Sequence, residues 1–219
     1  AVGNRLDETR ASAFLKAAPE MALRLEQEAG LALRAYPHHP DYLANLEGAT
    51  LSGRGLEPVP FDAAILGDRF ADIAPPLPEF TLLAGMMVDR VDIGHLLNAT
   101  KSPKSLLHTA KMVARYGLDR LQHRRGRRLV MGNALIGRLY HALLNKGVSV
   151  AMNVETNSLI FEKGRVVGAE LKQGSHSHTL SATVGVVLAT GGFSRNSTLR
   201  QELCPEHLRR ASAVADGAT

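Results

Sequence analysis

Tryptophan is absent from the chain, cysteine occurs once, and only four tyrosines and six phenylalanines are spread over its 219 residues. So few aromatic rings argue against a surface that stacks nucleic-acid bases. A lone cysteine, Cys204, excludes an internal disulfide and a thiolate metal cluster, and favours a reducing, cytoplasmic setting. No apolar run approaches the roughly 20 residues that a membrane-spanning helix needs. The opening stretch Ala1-Val2-Gly3-Asn4-Arg5-Leu6-Asp7-Glu8 has no apolar segment, so no secretory leader is expected in it. What remains is the composition of a globular protein, 45% hydrophobic and 21% charged, long enough to bury a core.

The net charge of +5 is concentrated in His123-Arg124-Arg125-Gly126-Arg127-Arg128. Such a run reads either as a solvated linker before the next helix or as a patch for phosphate or another acidic partner.

Residues 7–33 repeat with a helical period, placing Ala13, Phe14, Ala17, Met21, Leu25 and Ala29 on one stripe. Pro19 is expected to open a second helix there and Gly30 to end it. Residues 36–78 are rich in Pro, Gly and Asp without a sustained period, the mark of a functional or binding loop in a compact domain. Helical spacing returns over 92–99 and 103–122. In the second of these Ser102 suits an N-cap, Pro103 a first turn, and Leu106, Leu107, Ala110, Val113, Ala114 and Leu118 the apolar stripe. A further amphipathic helix is expected over 133–145, on Ala134, Leu135, Leu139, Leu143 and Leu144, closed by Lys146-Gly147.

The rest reads as strands. A short one is expected over 148–153. Segments 156–162, 165–172 and 179–182, joined by Lys163-Gly164 and a turn at Gly174, form an antiparallel meander. Val184-Gly185-Val186-Val187-Leu188-Ala189 is apolar throughout, as expected of a strand buried on both faces of a parallel sheet, and Thr190-Gly191-Gly192-Phe193 turns out of it. A meander in place of the crossover helix between two parallel strands, with glycines closing the second, suits a sheet that binds a dinucleotide at the carboxyl ends of its strands.

The segment Ala189-Thr190-Gly191-Gly192-Phe193, with Gly164-Arg165-Val166-Val167-Gly168-Ala169 and Val186-Val187-Leu188 before it, resembles the flavoprotein family of fumarate reductases and 3-ketosteroid Δ1-dehydrogenases over residues 129–196. Met131-Gly132-Asn133-Ala134-Leu135 matches the turn that opens the family's helix, and Gly147-Val148-Ser149-Val150 the strand after it. Upstream, His39-Pro40-Asp41-Tyr42, Gly53-Arg54-Gly55-Leu56-Glu57-Pro58, Phe61-Asp62 and Leu66-Gly67 look like the ketosteroid-dehydrogenase branch. The resemblance implies FAD as cofactor, with Ala189, Thr190, Gly191, Gly192 and Phe193 against it. It implies that Thr156, in Thr156-Asn157-Ser158-Leu159-Ile160, reaches the adenine through its main chain. It implies Tyr42 as a catalytic residue, supporting a main catalytic tyrosine elsewhere. The activity implied is that of a dehydrogenase or reductase acting at a carbon–carbon bond next to a carbonyl, with a small-molecule substrate and an electron acceptor as partners. His39 stands where the branch has an aromatic residue and Leu43 where a second tyrosine is common, which leaves open whether the substrate is a steroid.

The family's Gly-x-Gly-x-x-Gly turn is not met, since Gly53-Arg54-Gly55 is followed by Pro58. Ala215-Asp216-Gly217-Ala218-Thr219 resembles the start of a second flavin-contacting turn. With no opening methionine and no closing element, the chain reads as an internal piece, expected to be inactive alone.

Each candidate also has a plainer reading. Gly191 and Gly192 suit an ordinary strand exit, Thr190 caps the turn or donates to the flavin, and Tyr42 packs as a loop tyrosine. Arg127 or Arg128 serves the pyrophosphate or lies in a solvated linker. His38 and His39 lack a carboxylate at ligand spacing, and His176 and His178 suit exposed positions beside a turn, so no metal is expected. Ser52 and Ser194 have no base partner, which argues against a serine hydrolase. Cys204, beside Pro205, reads as an inert surface or packing residue.

The expected architecture is α/β: part of an FAD-binding dinucleotide fold with an antiparallel β-meander, preceded by a helical and loop-rich segment. That segment covers residues 1–128 and contributes to the substrate side, the FAD-binding core covers 129–193, and a substrate or cap domain begins at 194–219. A reading from another class is a non-catalytic binding module that uses Arg124 to Arg128 for an acidic partner.

Overall fold

The structure, a computed structural model, describes residues 6–193 and 196–206. Ser194 and the segment 215–219 lie outside the described residues. The chain divides into two compact units, Ala1–Val150 and Ala151–Thr219.

The first unit opens with helix α1 (Glu8–Ala29), whose N-cap Asp7 accepts the Arg10 N–H and which ends at Gly30. Pro19 lies inside this single helix instead of opening a second one. Leu15 and Pro19 both face solvent, so the carbonyl that loses its partner is open to water. The half-buried line of α1 is Ala11, Ala18, Ala22, Leu25 and Ala29, while Phe14 and Met21 of the expected stripe are exposed.

Short antiparallel pairs follow: β1 (Leu33–Ala35) with β2 (Leu56–Pro58), β3 (Phe61–Asp62) with β6 (Arg128–Leu129), and β4 (Thr81–Leu82) with β5 (Met86–Met87). Between them stand the 3-10 segment Ala63–Asp72, α2 (Arg90–Leu97), and α3 (Pro103–Gln122), which runs over the limits its sequence predicts. Ser102 occupies the N-cap position of α3 without a side-chain bond.

Helix α4 (Met131–Asn145) packs on β3, β6 and the 3-10 segment and closes the main core, in which Leu129 and Val130 are fully buried beside Phe61, Leu66 and Phe70. Its buried face is Ala134, Gly137 and Tyr140, and Leu143 of the expected stripe is exposed. The rotation has a steric cause: at Gly137 the helix meets the Phe61 ring and Leu129 where no side chain fits. The Val148 N–H donates to Leu143 O and the Gly147 N–H to Leu144 O, a Schellman closure. No strand forms over 148–153, where one was expected.

The second unit is built on the meander β7 (Glu155–Glu162), β8 (Arg165–Gln173) and β9 (His176–Ser181), in the order β7-β8-β9. Lys163 and Gly164 both have positive φ, the pattern of a type I′ turn that matches strand twist. At Gly168 the β9 backbone comes so close that a Cβ would stand 2.4 Å from Leu180 O. A short helix, α5 (Ser197–Leu203), is capped by Asn196.

The run 184–189 is not a strand here, and Val184 and Val187 are 93% and 91% exposed. A strand buried on both faces needs a neighbour on each side. Among the described residues every strand pair is antiparallel and none includes this run.

Candidate functional site

Tyr42 sits on a loop closed at its base by the Tyr36 N–H, which donates to Gly55 O at 2.8 Å. Asp41 pins the loop from inside: its carboxylate accepts the Thr50 N–H at 3.0 Å and pairs with Arg54 at 3.3 Å, and its N–H donates to Thr50 O. Tyr36 carries His39 edge-on at 5.1 Å and lies under the Arg90 guanidinium at 5.0 Å. The loop's polar groups thus hold its own backbone, while Tyr42, Leu43, Leu46 and Leu51 point outward. Tyr42 is fully exposed, so the plainer reading of a tyrosine packed on the domain is overturned.

In the second unit Thr156 stands on β7, opposite Leu171 of β8. Among the described residues β7 pairs on one side only, and its other edge leaves main-chain groups open. Gly191 has φ +77°, and among the described residues, its chain neighbours aside, no atom lies within 4 Å of where its Cβ would stand. Ala189, Thr190, Gly192 and Phe193 are exposed as well. Among the described residues no hydrogen bond joins Thr156 to this turn.

Sequence reasoning missed a buried ion-pair network in the first unit. Asp89 and Asp92 form a capping box on α2, for which Asp89-Arg90-Val91-Asp92 is the visible signal. Asp92, 1% exposed, accepts from Arg128 at 2.7 Å and pairs with His108 at 2.9 Å. His108 stacks on His95, which meets Ser105 at 3.0 Å. Arg34 bridges Asp89 to Glu57, which also holds Arg90 at 2.7 Å. Burial pushes the Asp92 carboxyl up, but the Asp89 N–H, His108 and Arg128 outweigh it and hold it below the ordinary carboxylate value. Hydrogen bonding from Arg90 lowers Glu57 as well, against the upward push of burial.

Most of the basic cluster is engaged within the first unit, while Arg124 is exposed. Arg127 pairs with Asp119 at 2.9 Å, Arg128 with Asp92, and Arg125 donates to three backbone carbonyls. Among the described residues no group of three or more His, Cys, Asp or Glu is placed to hold a metal. His176 and His178 are both exposed on β9.

A family model described as an FAD binding domain matches residues 1–219. The chain belongs to the FAD binding domain family. It is similar to the 4-oxocyclohex-2-ene-1-carboxylate 5-dehydrogenase of Sinomonas cyclohexanicum, with 33% identity over 194 residues, 88% of this chain and 32% of that protein. It is similar to the 3-oxosteroid 1-dehydrogenase of Mycobacterium tuberculosis, with 31% identity over 205 residues, 91% of this chain and 36% of that protein. Among solved structures it is similar to the 3-ketosteroid Δ1-dehydrogenase from Sterolibacterium denitrificans in complex with 1,4-androstadiene-3,17-dione. That likeness has a TM-score of 0.75 and 35% identity, over 92% of this chain and 37% of the other. The chain spans about a third of the length of the relatives it matches.

The resemblance to the ketosteroid-dehydrogenase branch and the α/β fold class are therefore borne out, and FAD is the cofactor of this domain. The module with a basic patch for an acidic partner is not: the relatives are dehydrogenases, and three of its arginines are engaged inside the first unit. FAD suits what the second unit of this binding domain offers, an open main chain at Gly191 and along the free edge of β7. Among the described residues no helix is long and apolar enough to cross a membrane.

Proposed function

We propose that this chain is the FAD-binding part of a dehydrogenase acting at a carbon–carbon bond next to a ring ketone. The observation that carries the reading is a family match over the whole chain together with relatives whose names pair an oxo-bearing ring with a dehydrogenase. FAD, when bound, supplies the hydride acceptor. In this reading Ala189, Thr190, Gly191, Gly192 and Phe193 hold the cofactor, the glycines because a side chain there would keep the backbone away from it. Thr156 meets the adenine through its main chain at the free edge of β7. Tyr42 hydrogen-bonds the substrate carbonyl or a second phenol, and so favours loss of a proton from the neighbouring carbon. Its exposure, on a loop whose own polar groups are satisfied, supports that role.

Residues 1–128 stand on the substrate side in this reading, 129–193 form the FAD-binding core, and 194–219 begin a cap domain. A ketone substrate and an electron acceptor are the partners, and the single cysteine supports a cytoplasmic setting. The 219 residues alone are expected to be inactive.

The test gives the longer FAD-loaded protein that carries these 219 residues a 3-ketosteroid or 4-oxocyclohexanecarboxylate, with a dye as final acceptor. Either ketone should bleach the flavin, and Tyr42→Phe should lower kcat by about 100-fold at unchanged FAD content. Flavin that neither ketone bleaches would sink the reading.

A further inference from the structure

In the first unit the segment 67–85 and the end of α3 line an open cavity of about 940 Å³, which includes none of the residues assigned to FAD or to the Tyr42 loop. Its size suits a compact organic ligand, and much of its wall is apolar, from Phe70, Ile73 and Pro76.

The charge on that wall is unbalanced. Arg125 is partly buried and lies over the Phe70 ring, its guanidinium carbon 4.4 Å from the centroid. Its acceptors are the carbonyl oxygens of Phe70, Ile73 and Ala74, all neutral, and these engage three of its five N–H donors. Burial pushes its pKa below the usual guanidinium value, a sign that the positive charge lacks a countercharge. Arg127 and Arg128 are neutralised by Asp119 and Asp92. Among the described residues no carboxylate forms an ion pair with Arg124 or Arg125, and Asp68, on the same wall, is paired with neither.

We propose that this cavity binds a small amphipathic anion, an alicyclic or aromatic body in the apolar trough with its carboxylate on Arg124 and Arg125. The body leaves water for the Phe70 and Ile73 side, and the carboxylate meets guanidinium donors that suit its planar geometry. Either group alone would gain little, because Arg124 is exposed and the trough is open at one side.

The probe is 1-anilinonaphthalene-8-sulfonate, an apolar ring system with one negative charge, titrated by fluorescence onto the FAD-loaded protein. One site is expected, weakened about tenfold or more by Arg124→Glu. Ala71→Trp, which fills the trough from an exposed wall position, should abolish binding at unchanged Tm. Cyclohexanecarboxylate should displace the probe where cyclohexanemethanol at equal concentration does not. No binding, equal displacement by the alcohol, or unchanged affinity in both variants would overturn the proposal. Binding that disappears once FAD is loaded would overturn it too, by giving the cavity to the cofactor.

Discussion

Helices α3 and α4 lie in the same unit and both carry helical periodicity, yet they are attached by opposite means. Helix α4 buries Ala134, Gly137 and Tyr140 against Phe61 and Leu129, and the packing of apolar surface holds it. Helix α3 buries Ser105, Met112, Tyr116 and Asp119, while Leu106, Leu107, Leu118 and Leu121 are exposed. Beside a small apolar cluster of Met112 and Tyr116 with Met86, its attachments are polar. Tyr116 donates to Leu83 O at 2.6 Å, Asp119 takes the N–H and Nε–H of Arg127, and His108 meets Asp92. An apolar stripe therefore identifies a helix without saying which face will pack. In α3, polar partners outside the helix, together with Met86, decided the face.

That contrast can be broken by substitution. Asp92→Ala has the largest expected effect, a loss of about 3–5 kcal/mol in denaturant unfolding, because Arg128 keeps its buried charge and loses its main partner. Leu129→Ala, on the α4 side, should cost about 2–5 kcal/mol through the cavity left in the core. Gly137→Ala should cost about 1–3 kcal/mol, since the new methyl would stand 2.7 Å from the Phe61 ring and force it aside. Leu118→Lys, on the exposed face of α3, should change stability by less than about 0.5 kcal/mol. A Leu118 effect larger than that of Asp92 would mean that α3 is held by its leucines after all.

Acid sharpens the same comparison. The Asp92 and Glu57 carboxyls are depressed in the folded state, so their contribution is complete above the unfolded carboxylate value and is lost as pH falls through the folded one. Stability measured by urea midpoints should therefore drop below about pH 4. Asp92→Ala should flatten that drop, while Leu129→Ala should leave its slope unchanged.

Much of the fold was legible where the determining chemistry is local. The start of α3 at Pro103, the stop at Gly30, the turn at Lys163-Gly164 and the close of α4 at Gly147 all follow from residues a few positions apart. The candidate site was legible in part. The loop that carries Tyr42 stood out by composition, whereas the clasp of Asp41, Thr50 and Arg54 that shapes it did not. The run 184–189 has every local mark of a buried strand, but a strand exists only with partners, and none pairs with it among the described residues. The network around Asp92 was hidden for a related reason, since Arg128 lies 36 positions from the carboxylate it neutralises.

By itself, then, the sequence determined where most helices and the meander begin and end, and the resemblance that leads to FAD. The limits of those elements depend on hydrogen bonds and side-chain spacing within a turn or two. Only the tertiary structure decided which face of α3 and of α4 is buried, and that Arg125, Arg127 and Arg128 turn inward instead of forming a solvent patch. Burial and charge pairing are settled by groups that meet only once the chain has folded, and no local pattern records who those partners are.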